Sequence, residues 1–99
     1  MAKKYKYGGV CKYDGVEVRV MWKDIKSGVC MHGNCCPVAL AIKRAIGRSG
    51  GICVSYCSIE IGKVKYKVTK KIRRFLSLFD EESGVRPFTF TLRGMPARE

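Results

Sequence analysis

Two groups of residues in this 99-residue chain could do chemistry. The first is Cys30, His32, Cys35 and Cys36, four side chains within seven residues. Zinc prefers thiolate and imidazole ligands, and close spacing lets a tight loop place several donors on one ion. The pattern fits only in part. Four residues lie between Cys30 and Cys35, slightly long for a zinc pair, and the usual second pair is missing downstream. Cys53 and Cys57 cannot supply it together from a strand, where that separation spans roughly 13 Å. Two thiolates on one zinc lie within about 4 Å of each other. Thiol chemistry is a second reading. Cys36 precedes Pro37, a favoured first helical residue, so it would sit where the helix dipole favours thiolate. His32 would be its base, but no Asp or Asn is evident to orient that imidazole, and there is no C-x-x-C redox pair. The favoured reading is simpler. Free cysteine is a small, often buried hydrophobe, and Cys36 caps its helix while Cys11, Cys53 and Cys57 fall on core faces. No enzymatic role and no cofactor is expected; zinc on Cys30, His32, Cys35 and Cys36 is the alternative.

The second group is cationic. Residues 63–74 hold Lys63, Lys65, Lys67, Lys70, Lys71, Arg73 and Arg74 and no acid, while Asp80, Glu81 and Glu82 follow. On one helix this order is the reverse of what the macrodipole favours, because cations stabilise helix C-termini and anions N-termini. A local rule broken without local gain points to function. Free N–H donors at a helix start, with cations added, suit a phosphate or carboxylate. The whole chain carries 20 Lys and Arg against 8 Asp and Glu, a net +12. Solubility alone asks for a charge of about 2–8 in magnitude. A polyanionic partner follows, nucleic acid or an acidic protein surface; the bland alternative is a merely solvated basic face. Arg19, Lys23 and Tyr56 are expected to extend the same surface. Sequence-specific readout is not expected. RNA-recognition-motif domains carry an aromatic-rich K/R-G-F/Y-G/A-F-V-x-F/Y run in their third strand. This chain has "GKVKYKV" there, with Tyr66 facing the core.

These residues need elements to hold them. "VCKYDGVEVRVMW" alternates about Asp14-Gly15, a strong two-residue turn signal, and predicts a hairpin with Cys11, Tyr13, Val16, Val18, Val20 and Trp22 on one face. Residues 23–35 read as a polar loop. Pro37 opens a helix that Gly47 closes, with Val38, Ala41, Ile42, Ala45 and Ile46 as its buried stripe. Residues 50–68 read as two strands joined near Gly62, the first placing Cys53, Ser55, Cys57, Ile59 and Ile61 on one face. Thr69 caps a second helix whose stripe is Ile72, Phe75, Leu76 and Phe79. Phe88, Phe90 and Leu92 belong to a last strand that starts after Pro87. The order βαββαβ predicts a single α+β domain over residues 1–99, a ferredoxin-like split βαβ plait with an extra N-terminal hairpin strand.

The longest apolar run, Pro37 to Ile42, is too short to span a bilayer, and "MAKKYKYGG" lacks the apolar stretch of a secretory signal. A cytoplasmic setting is expected, with no membrane and no small-molecule substrate. "CCPVALAIKRAIG" followed by "IRRFLSLFDEESGVRPFTFTL" resembles small proteins encoded by bacteriophages and prophages, which share a CPVALA-type helix and a later F-D…PF-F ending. The resemblance covers the chain from Cys35 onward. It implies a phage origin and a host cytoplasm; it implies no activity, and no catalytic residue is carried over. The sequence thus favours a non-enzymatic accessory protein that binds nucleic-acid backbone. The runner-up is a protein that binds and modulates a host nucleic-acid enzyme, and third is a small zinc domain.

Overall fold

Val18 and Val20 are buried while Glu17 and Arg19 alternate outward, and these residues form strand β1 (Glu17–Val20). Its described partner is β5 (Phe88–Thr91), antiparallel, with Val18 opposite Phe90 and Val20 opposite Phe88. A computed structural model describes residues 12–29, 33–48 and 50–94 of the chain. Cys11 and most of the expected first hairpin arm lie outside them. Lys12 to Gly15 form a turn, with Gly15 at φ +89°, a left-handed conformation that suits glycine.

The strand does not reach Trp22. Asp24 folds back so that its carboxylate accepts the Met21 N–H at 2.8 Å, and this starts a helix, α1 (Trp22–Ser27), where a loop was expected. The alternation therefore stops at Met21. Trp22, expected in the core, is 56 % exposed. Helix α2 (Pro37–Ile46) follows the sequence closely. Cys36 is its N-cap, and Gly47 ends it at φ +67° with its N–H donating to the Lys43 carbonyl. Val38, Ala41 and Ile42 are buried and Ile46 is half-buried, but Ala39 takes the inward place expected of Ala45.

Residues 52–61 are two strands instead of one, β2 (Ile52–Val54) and β3 (Ser58–Ile61). Ser55 makes the break. Its hydroxyl accepts the N–H groups of Cys57 (3.3 Å) and Ser58 (3.2 Å) and donates to the Ser58 carbonyl (3.1 Å). Such local bonds compete with the sheet ladder. The three-residue turn shifts the alternation by one. Ile52 and Val54 point inward along with Ile59 and Ile61, and Cys53 and Cys57, expected in the core, are exposed. Gly62 (φ +64°) then turns β3 into β4 (Val64–Lys67), where Tyr66 is 1 % exposed. Thr69 caps α3 (Lys70–Asp80) by accepting the Ile72 N–H at 3.4 Å. Ile72, Phe75 and Leu76 enter the core, and the Phe75 ring lies 4.8 Å from that of Phe88.

The strands form an antiparallel pair, β1–β5, and an antiparallel meander, β2–β3–β4. An antiparallel bridge between Tyr66 and Gly94 joins them, with the Lys67 N–H donating to the Arg93 carbonyl at 2.7 Å. The protein is a small α+β domain. The ferredoxin-like plait order is not reproduced among the described residues. A split βαβ needs β1 between β5 and β4, whereas the chain just beyond β5 is what reaches β4.

Helix α1 is held by one ion pair. Arg44 of α2 donates to both carboxylate oxygens of Asp24, at 2.6 and 2.8 Å, and to the Arg19 carbonyl at 2.8 Å. Asp24 is 4 % exposed. Burial pushes its carboxyl up, but the bonds from Arg44 and the Met21 N–H, with the Arg44 charge, hold it below the usual carboxylate value. Arg44→Ala would leave that carboxylate buried without its partner. The expected cost is about 3 kcal/mol, the low end for a broken buried pair, because the Arg44 side chain keeps 35 % exposure. Since the folded pKa is depressed, the pair's stabilisation is complete above the ordinary carboxylate range and fades as pH falls through the folded value. Denaturant unfolding of wild type and variant at neutral and acid pH checks both points; the gap between them should close in acid.

Candidate functional site

The cations expected to form one surface are divided among several. On β4, side chains alternate, and Tyr66 faces the core. Lys65 and Lys67 therefore project from the opposite, open face of the meander, where Lys65 stands across from Glu60 and Lys67 across from Ser58. Lys63 is exposed in the turn at Gly62. Helix α3 packs its Ile72–Phe75–Leu76 stripe inward, so its outer cations belong to a different surface. Lys70, Arg73 and Arg74 line one shallow groove there, with Ser77, Leu78 and Glu81 at its far end.

Two members of the group have structural work. Lys71 lies on the β5 side of α3, where its Nζ donates to the Thr89 carbonyl at 2.9 Å and sits 5.5 Å from the centre of the Phe88 ring. Arg73 donates to the carbonyls of Tyr56 (3.2 Å) and Val68 (3.4 Å). Lys70 and Arg74 are exposed at the helix start, and no acid stands in its first turn. Arg19 and Lys23 lie elsewhere, beside Met21 and Trp22. Arg19 lines a separate groove against α2 with Glu17, Met21 and Arg44.

Tyr56 is 44 % exposed, but its hydroxyl and carbonyl are tied to α3. It stands in the turn between β2 and β3, and its hydroxyl donates to Asp80 at 2.5 Å. That bond to a carboxylate raises the phenol to about 12. With the Arg73 bond to its carbonyl, Tyr56 staples the turn to both ends of α3. Under it lies a cleft of about 250 Å³ that reaches Gly33, Cys36, Val54 and Leu76.

The cysteine run is described in part: Cys30 and His32 lie outside the described residues. No group of three or more His, Cys, Asp or Glu placed to hold a metal is formed among the described residues. Cys36 is 4 % exposed, and its Sγ accepts the Ala39 N–H at 3.4 Å. Burial pushes its thiol up, against the hydrogen bonds at the helix start. A buried thiol raised in this way suits a cap better than a free nucleophile. Gly33 holds the loop to β2. The Val54 N–H donates to its carbonyl at 2.8 Å, and a side chain there would begin 2.8 Å from the Val54 carbonyl oxygen.

The feature sequence reasoning missed is Trp22. Its place at the end of an alternating run read as core, and the one signal against that was Asp24, a capping residue three positions after Met21. Comparison with known protein families, curated proteins and solved structures found no match for this chain.

The thiols should separate by reactivity. Under native conditions an alkylating reagent is expected to label exposed Cys53 and Cys57 quickly, and Cys36 only as fast as the domain opens. Peptide mass spectrometry over a time course measures this; early labelling of Cys36 would contradict its capping role.

Proposed function

We propose that the chain is a non-enzymatic accessory protein that binds the phosphate backbone of nucleic acid, in the host cytoplasm and of phage origin. One observation carries the reading. Lys70, Arg73 and Arg74 line the N-terminal part of one groove that runs along the outer face of α3 to Glu81, and at its Lys70 end the helix's own N–H donors and dipole add to their charge. Sulfate-sized or phosphate-sized anions fit such a place, and the reversed charge order of the helix gains a reason. The open meander face with Lys63, Lys65 and Lys67 adds a second, more diffuse positive field. The net charge of +12 supports a long polyanion over a single small anion. No helix among the described residues is long and apolar enough to cross a membrane. Backbone contacts position without reading sequence, in keeping with a groove that offers charge and no aromatic ring.

The clean variant is Lys70→Ala with Arg74→Ala, because Lys71 and Arg73 also hold the fold together. It should weaken binding to unrelated DNA and RNA sequences alike, and lower the log–log salt slope by roughly 0.7–0.9 for each phosphate no longer neutralised. The thermal midpoint should hold or rise slightly, since unfavourable charge at a helix start is relieved. Fluorescence anisotropy titrations at several salt concentrations, with a melting curve, measure all three. Absence of wild-type binding at low salt would refute the reading and leave an acidic protein partner as the explanation of the charge.

A further inference from the structure

Trp22 is the one tryptophan of the chain, and it is 56 % exposed. Tryptophan is highly buried on average, and a domain this small has few large side chains to leave in solvent. The ring is held outward by its neighbours. Asp24 faces inward onto Arg44, and residues two apart on a helix do not share a face, so α1 cannot turn Trp22 inward without withdrawing Asp24 from its partner. The surroundings of the ring are basic. Lys23 follows it, and Lys26 lies one helical turn on, on the Trp22 side of α1. Arg19 and Met21 belong to a separate groove against α2, shared with Glu17, Ala41, Arg44 and Ala45.

We infer that Trp22 is a stacking platform for a base of single-stranded nucleic acid, with Lys23 and Lys26 taking the flanking phosphates. The inference rests on the backbone-binding reading above and deepens it, adding a preference for single strands. An exposed indole among cations is the combination such binders use, because every base offers a π face and every nucleotide a charge. Duplex DNA keeps its bases stacked on each other and leaves none for the ring. Tryptophan with lysines also suits an anionic membrane surface. The apolar area argues against that occupant. Helix α1 has six residues, Ile25 packs against the core, and among the described residues next to it only Met21 and Val29 are further exposed large apolar side chains.

A lone tryptophan makes the test direct, since its emission reports one site. The full chain is titrated with a mixed-sequence DNA single strand and with the same sequence annealed to its complement. The single strand should quench Trp22 emission and bind more tightly than the duplex. Trp22→Ala should lose about 5- to 150-fold in single-strand affinity, with duplex affinity and thermal midpoint unchanged; Trp22→Phe should recover most of the loss. Single-strand binding with unchanged emission, and with the alanine variant equal to wild type, overturns the platform while leaving backbone binding in place. If the wild type binds neither strand form at low salt, the backbone reading fails and the platform fails with it. A shift of emission to shorter wavelength on vesicles of anionic phospholipid, without quenching by nucleic acid, also overturns the inference and assigns the ring to a membrane surface.

Discussion

One guanidinium sets the geometry of the N-terminal half of the described fold. Arg44 reaches from α2 to both oxygens of Asp24 in α1 and to the Arg19 carbonyl of β1. Its donors occupy a planar fork, so three elements are fixed at one angle as well as at one distance. Asp24 is itself the cap of α1, accepting the Met21 N–H. The helix therefore starts where it does because its capping carboxylate has a cation to be buried with. Without that cation the buried carboxylate would be costly, and a six-residue helix has little propensity of its own to set against the cost. The direction in which Trp22 points is a consequence of that pair.

The basic composition serves the fold as well as a ligand. Arg44 satisfies the Arg19 carbonyl, Lys71 that of Thr89, Arg73 those of Tyr56 and Val68, Lys43 that of Asn34, and Arg48 that of Gly50. Short strands and turns leave many carbonyls without a ladder partner, and such groups must be satisfied. Long cationic side chains reach them from neighbouring elements while their stems cover apolar surface. The Lys71 ammonium lies over the Phe88 ring as it does so. Part of the +12 charge is thus committed to structure, and the cations of residues 63–74 are a mixed population. Lys70 and Arg74 are exposed, Arg73 serves both groove and fold, and Lys71 serves the fold.

Helices α2 and α3 were legible in the sequence; α1 and the sheet were less so. Pro37 and Gly47 bracket α2 as their backbone chemistry requires, and Thr69 with the Ile72–Phe75–Leu76 stripe marks α3. The α+β class followed from that. The phase of residues 52–61 did not, because the signal lay in a single serine. Ser55 folds its hydroxyl back on the next three residues and inserts a turn with no glycine or proline to announce it. That one turn moved Cys53 and Cys57 from the expected core to the surface. The tertiary pairing of β1 with β5 was equally hidden, since Asp14-Gly15 argues for a local partner and nothing in the alternation names a distant one. For the candidate site, the sequence showed the cations but not their division between the open sheet face and the outer face of α3. That division depends on Tyr66 facing inward, which was expected, and on α3 lying on the same side as Tyr66, which no local pattern encodes.

A single rung of the β1–β5 ladder connects the two candidate surfaces. Arg19 and Thr89 stand opposite each other, and both of their carbonyls are taken by side chains from outside the pair, Arg44 on one edge and Lys71 on the other. In an antiparallel pair, opposed residues that do not bond each other turn their polar groups outward. Those outward groups are where a further strand would add, and cations close them. The same closure runs from α3 through Lys71, Thr89, Arg19 and Arg44 to Asp24, one residue beyond Lys23. The grooved outer face of α3 and the exposed ring on α1 are thus tied to one strand pair by charged side chains. A polyanion that engaged Lys70 and Arg74 would meet a helix pinned to β5, and one that engaged Trp22 would meet a helix pinned to β1. The structural cations thus fix the backbone from which the exposed ones project, and a fixed backbone loses less entropy when a ligand binds.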